Sequence, residues 1–346
     1  MIDRDASADT ARRLQRTAVT AIVAATMIVG ILATGAATAG TRADAVIAAL
    51  ALGQGRHCVV TRTPDARVTV RGDACDGRRL IRAILTLLAS SDAEAAPVDV
   101  DLDIVVKTLD GFNHETLRDV TLRLWVEHGA IAAFALAAKL RDGDVSGVLG
   151  TAADRRPTIR LDAGDAGAFL RWAGLYRHMR GGTLNIAVHG PAADGAAEDG
   201  VASLRAFTIV DDPALRPLAR LLFDRRSPAR RLFAFSRLRL TFNSRAGHVA
   251  FGEGMIIGEP IEATLDGSYD LAQDRLDLRG VMVPLVQFSQ AVPMDLPNEV
   301  GLIASDYAIS GPPSAPVLRI DPLRTLAPGF MRKLFEFASR AQSLEP

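Results

Sequence analysis

Polar and apolar residues trade places with a period of two over most of this chain. Val98, Val100, Leu102 and Ile104 alternate with Asp99, Asp101 and Asp103. That is the pattern of a strand with one dry and one wet face, because successive side chains of an extended backbone point to opposite sides. The same beat returns in Val120, Leu122, Leu124 and Val126, in Leu184, Ile186 and Val188, and in Leu238, Leu240 and Phe242. It returns again in Ile261, Ala263 and Leu265, then in Leu276 and Leu278. Turn-forming clusters such as Arg141-Asp142-Gly143-Asp144, Arg180-Gly181-Gly182 and Asn243-Ser244-Arg245-Ala246-Gly247 separate many of these runs. Residues 98–327 therefore read as a mainly antiparallel β domain with on the order of 14 strands.

Three helices are expected to interrupt the strands. Asp165 can cap a helix running through Phe169, Leu170, Ala173 and Tyr176 and ending at Gly181-Gly182. Asp212 followed by Pro213 opens a second, through Leu215, Leu218, Leu221 and Leu222, with Pro217 distorting its first turn. Pro328 opens the third, an amphipathic segment over 328–346 in which Met331, Leu334, Phe335 and Ala338 share a face with Phe330 beside it. Ahead of the β domain, residues 42–97 form a mixed region. It holds a strand candidate at Val68-Thr69-Val70, a helix candidate from Leu80 to Leu88, and a linker of small and acidic residues from Ser90 to Pro97.

The long uncharged stretch from Thr17 to Thr41 changes the picture. It suffices to span a bilayer as a helix, for which about 20 residues are needed. Arg12, Arg13 and Arg16 precede it, whereas Arg42 follows with Asp44 close by. The positive-inside rule then sets residues 1–16 in the cytoplasm and everything after residue 42 outside. A cleaved secretory signal is the second reading, because Ala37-Thr38-Ala39 fits a small-x-small cleavage site. Both readings export the body, and the length of the stretch favours an uncleaved single-pass anchor.

Charge and chemistry mainly exclude. The 346 residues carry 40 basic and 40 acidic side chains, so no global field favours nucleic acid, and no basic stretch is interleaved with aromatics as base stacking requires. Asp99, Asp101 and Asp103 lack the glycine turn and further ligand of a calcium loop, which leaves a solvated strand face. The six histidines, His57, His114, His128, His178, His189 and His248, have no motif around them that organises a nucleophile or a metal. No catalysis, metal or cofactor is expected. Cys58 and Cys75 lie in the exported part, where they can form a disulfide or remain two thiols. The run Arg216, Arg220, Arg225, Arg226, Arg230 and Arg231 can meet anionic headgroups or simply be solvated. Phe330, Met331, Leu334 and Phe335 offer a membrane or partner contact, with packing on the sheet as the alternative.

From about Arg160 onward the order and spacing of short motifs carry a family resemblance. They begin with Asp162-Ala163-Gly164-Asp165 leading to Phe169-Leu170 and Tyr176, then Met179-Arg180-Gly181-Gly182 and Val210-Asp211-Asp212-Pro213-Ala214-Leu215. Leu265-Asp266-Gly267, Leu276-Asp277-Leu278-Arg279-Gly280 and Val283-Pro284 follow. The most specific are Tyr307-Ala308-Ile309-Ser310-Gly311, Pro316-Val317-Leu318-Arg319-Ile320-Asp321-Pro322-Leu323 and Leu326-Ala327-Pro328-Gly329-Phe330-Met331-Arg332. Together they resemble the C-terminal region of AsmA-like proteins, the YhdP-type branch in particular, over somewhat more than half the chain.

The resemblance implies an inner-membrane-anchored periplasmic protein whose antiparallel sheet curls into a groove with an apolar interior. It further implies work on phospholipid in support of the outer membrane. Val120, Leu122, Leu124, Leu184, Ile186, Val188, Leu238, Leu240, Phe242, Ile261, Leu265, Leu276 and Leu278 become the candidate groove lining. The alternation itself fits a closed protein core equally well, and a non-catalytic scaffold for envelope assembly is the alternative function. Two departures stand out: family members usually carry a much longer β body, and Asp321 stands where Asn is common. A groove of on the order of 14 strands spaced about 4.8 Å apart would be roughly 65 Å long, short for a bridge between two membranes. An envelope partner or self-assembly is therefore expected.

Overall fold

The computed structural model describes residues 58–63, 67–79, 81, 100–127, 130–190, 197–212, 215, 232–245, 248–259, 261–270, 273–284, 303–312 and 317–325. The alternating stretches become fifteen strands of one open sheet. They are β1 (Cys58–Arg62), β2 (Arg67–Asp76), β3 (Val100–Asp110), β4 (Thr116–Glu127), β5 (Ala130–Lys139), β6 (Asp144–Thr151), β7 (Pro157–Ala163) and β8 (Met179–His189). There follow β9 (Glu198–Val210), β10 (Leu232–Arg245), β11 (His248–Gly258), β12 (Ile261–Asp270), β13 (Arg275–Pro284), β14 (Ile303–Gly311) and β15 (Val317–Thr325). Thirteen strands thus follow Val98 among the described residues, one fewer than the alternation suggests.

Spatial order follows chain order throughout, and neighbours run antiparallel except for the parallel pair β2 and β3. The sheet continues across residue 97, since β2 hydrogen-bonds to β3 from Arg67 opposite Asp101 to Asp76 opposite Asp110. A parallel pair needs a long connection, and the residues between β2 and β3 provide one.

Buried side chains share one face. Leu102, Ile104 and Val106 of β3, Leu184, Ile186 and Val188 of β8, and Leu276 and Leu278 of β13 are all nearly inaccessible. The opposite face carries cross-strand ion pairs: Asp101 with Arg67 and Arg123, Asp103 with Arg71, Asp73 with Lys107, and Asp119 with Lys139. Exposed pairs of this kind contribute little to stability, because solvent screens them. Their main effect is to keep that face wet.

The buried phase does not run unbroken along every strand. In β9, Ala202 and Leu204 are buried before Ala206, and Phe207 and Ile209 after it. Ala206 has φ 51, a left-handed conformation that shifts the alternation by one residue. Beside it, β8 holds Gly181 and Gly182 at φ 62 and 82, and β10 slips register between Phe235 and Arg237. Glu253 does the same in β11 and Asp119 in β4, each at φ 50 and each within a register shift. Such bulges bend a strand and increase its twist. Gly181 and Gly182 accordingly lie inside β8, not in a turn closing a helix, which corrects the sequence reading.

The helix α1 (Ala166–Trp172) opens as expected at Asp165, whose carboxylate accepts from the Ala168 N–H at 2.9 Å. It ends earlier than expected. Gly174, at φ 73, takes the left-handed position after the last turn. There the Leu175 N–H reaches the Leu170 carbonyl and the Gly174 N–H reaches that of Arg171. This is a Schellman closure, which uses up the carbonyls that another turn would need. Tyr176 therefore stands in the connection to β8.

Although α1 joins β7 to β8, its far end is tied to the turn between β3 and β4. Trp172 Nε1 donates to the Leu109 carbonyl at 3.0 Å, the Phe112 N–H to the Trp172 carbonyl, and Asn113 Nδ2 to the Arg171 carbonyl. Arg171 completes the tie with a half-buried ion pair to Glu115 at 2.7 Å. At the near end, Gly167 lies against the Met179 and Arg180 backbone of β8. Next to Leu109 in the sheet, Cys75 of β2 forms a disulfide with Cys58 of β1, their Cα atoms 5.2 Å apart. Joining residues 17 apart in sequence restricts the unfolded chain and stabilises by about 3 kcal/mol.

Several expectations lie outside the described residues. They are the anchor at 17–41, most of the helix candidate at 80–88, nearly all of the segment opened by Asp212 with its arginine run, and the final segment with Phe330, Met331, Leu334 and Phe335. Among the described residues no helix is long and apolar enough to cross a membrane.

Candidate functional site

The candidate site is the dry face itself. Of the thirteen residues expected to line it, Val120, Leu184, Ile186, Val188, Leu238, Leu240, Phe242, Ile261, Leu265, Leu276 and Leu278 are buried. Leu122 and Leu124 are partly buried and packed against the same core. Pairing registers join them into continuous rows. One row takes a residue from every strand: Val60, Val70, Ile104, Leu122, Leu136, Gly147, Leu161, Ile186, Ala202, Leu240, Gly254, Leu265, Gly280, Tyr307 and Ile320. No charged residue interrupts it across all fifteen strands.

Several members of that row were not legible as strand residues. Leu136 lies in the alanine-rich β5, where small side chains blur the contrast between faces, and Ala202 precedes the phase change at Ala206. Gly254 and Gly280 contribute space instead of side chain. A methyl group at Gly254 would stand 3.0 Å from Leu240 Cδ1, and the Tyr307 hydroxyl passes over Gly280 to donate to the Thr264 carbonyl. Burial raises the Tyr307 hydroxyl well above its ordinary range.

Chemically the row can do one thing well, which is to cover apolar surface. Each methylene taken from water contributes about 0.8 kcal/mol. The polar groups near it are mostly committed. Tyr269 donates to Asp274 at 2.8 Å, and Tyr176 donates to Asp212 across the connections that flank β8 and β9. On the wet face the strongest clusters are also closed on themselves. Asp101 is held below the usual carboxylate range, first by the hydrogen bond from Arg123, and Arg156 bonds both Asp154 and Asp199. Among the described residues no group of three acidic, histidine or cysteine side chains has the arrangement of a metal site.

Among the described residues, Glu198 is the exception. It opens β9 in phase with Gly200, Ala202 and Leu204, so it lies on the dry face, opposite Ser244 of β10. Its Oε2 is buried and has no hydrogen-bond partner. Burial alone pushes its carboxyl from 4.5 up to about 7. Folding then favours the protonated acid, so the associated stability is fully present below pH 4.5 and is lost as pH rises through 7. Glu198→Gln, neutral at every pH, is expected to match the parent near pH 4 and to exceed it by about 3 kcal/mol near pH 8. Paired chemical-unfolding curves at the two pH values check this, and a constant difference between the proteins would contradict it.

In comparisons with protein-family models, curated proteins and solved structures, nothing matches this chain.

Proposed function

We propose that this chain is a non-catalytic, AsmA-like envelope protein that binds or shuttles phospholipid along a curled apolar β-groove. In this reading it is held in the inner membrane by residues 17–41, with its body in the periplasm, and supports outer-membrane lipid homeostasis. The observation that carries the proposal is the uncharged row through all fifteen strands. A single sheet that stays dry on one side over so many strands suits a long acyl chain better than it suits a compact reactant.

Two further observations support it. In a flat sheet, five spacings of about 4.8 Å would set β3 about 24 Å from β8, whereas a seven-residue helix is about 10 Å long. That α1 touches both strands favours a sheet curled toward its dry side. Secondly, two pieces of the sequence resemblance, Tyr176 and Asp212, meet in a buried hydrogen bond, as expected if those pieces belong to one structural unit. The disulfide fits an oxidising compartment.

The test is direct. Full-length protein purified in mild detergent is extracted with organic solvent, and phospholipid is quantified by mass spectrometry. About one or more phospholipids per chain are expected, with a marked loss on Ile186→Glu in the middle of the row. Background lipid alone would mean that the dry face is a closed protein core, and would leave the scaffold function as the better account.

A further inference from the structure

Glu198 has no role in covering acyl chains, and its position is costly. A carboxyl on an apolar face loses hydration, and a buried oxygen without a donor forfeits a hydrogen bond as well. Its immediate partners do not relieve it. Ser244, directly opposite on β10, is buried on the same face, while Asp199 and His189 belong to the wet face, where Arg156 and Thr158 hold them. Gly200 and Ala202 continue the dry phase toward the long row, which Ala202 joins about 13 Å along the strand from Glu198. A carboxyl whose Oε2 has no partner thus stands at the N-terminal end of β9, at one end of the apolar surface.

We propose that Glu198, with Ser244 beside it, is the headgroup station of the groove and takes the primary ammonium of an ethanolamine phospholipid. The assignment rests on the groove reading above. An ionised carboxylate accepts a charge-assisted hydrogen bond from a primary ammonium, roughly twice as strong as a neutral one. A quaternary choline has no N–H to give. A glycerol headgroup offers only neutral hydroxyls and brings an unbalanced phosphate charge toward the carboxylate. The raised proton affinity of Glu198 measures the cost of carrying its charge alone, which an ammonium partner would offset. Ser244 can accept a second N–H from the same group.

The experiment loads full-length protein in detergent from an equimolar mixture of ethanolamine, glycerol and choline phospholipids with identical acyl chains. Bound lipid is then extracted and counted by class. Enrichment of the ethanolamine class by about tenfold is expected for the parent. Glu198→Gln should bring the enrichment down to near one, and Glu198→Asp should keep part of it. Equal enrichment in the parent and in Glu198→Gln overturns the headgroup assignment and leaves the groove standing. Absence of all three lipids from every variant overturns both. Soluble ethanolamine, offered alone, separates the remaining source of ammonium: saturable binding lost in Glu198→Gln would assign the site to a free amine and overturn the headgroup role.

Discussion

Leu240→Ala is expected to lower the unfolding free energy by roughly 3–5 kcal/mol, at the upper end for a buried leucine. Leu240 is wholly inaccessible, in the middle of β10, with Ala202 opposite it on β9 and the glycine gap of Gly254 on its other side. Both neighbours are small, so neither can swing a side chain into the space that the leucine leaves. The lost transfer energy then adds to a cavity that cannot collapse. Leu122→Ala, on the same row but only partly buried, is the internal comparison and should cost about half as much. Guanidinium unfolding followed by circular dichroism measures both. A loss below about 1 kcal/mol at Leu240 would mean that the row is not packed in the way its burial indicates.

A comparable loss, about 3–5 kcal/mol, is expected for Trp172→Ala, because several contacts disappear together. The ring stacks on Phe169 with centroids 6.0 Å apart, its Nε1 holds the Leu109 carbonyl, and a Cβ at Gly111 would fall inside it. Removing it opens the tie between α1 and the β3–β4 turn. Trp172→Phe separates packing from the hydrogen bond and should recover more than half of the loss. Beyond stability, hydrogen exchange at the Phe112 and Glu115 amides should accelerate in Trp172→Ala while that of β12 and β13 stays unchanged. Uniform acceleration throughout the sheet would show that the helix does not act as a local clamp.

Much of the sheet was legible in the sequence, and the reason is local. Where the two faces differ strongly in polarity, as in Leu102 and Ile104 against Asp101 and Asp103, the period of two marks the strand without knowledge of its neighbours. The same logic placed the cap at Asp165, whose side chain needs only the N–H three residues ahead. It failed where the signal was weak or concealed. Alanine-rich β5 offers little contrast, and the left-handed residues Ala206 and Glu253 carry no side-chain mark of their conformation. The stop of α1 at Gly174 has a visible cue, but Gly181 and Gly182 further on are the stronger local punctuation.

For the candidate site the division is sharper. The amino-acid order by itself determined which side chains are apolar, on which phase of each strand they fall, and that charge would gather on the opposite face. Tertiary structure alone decided that fifteen strands pair in chain order, that their registers align one uncharged row, and that bulges keep this row continuous where the alternation slips. It also decided that Glu198, an ordinary polar residue after the mostly small residues 191–197 in the sequence, belongs to the dry face. Alternation is a property of consecutive residues, whereas register and burial are set by hydrogen bonds between strands, and only the assembled sheet contains those.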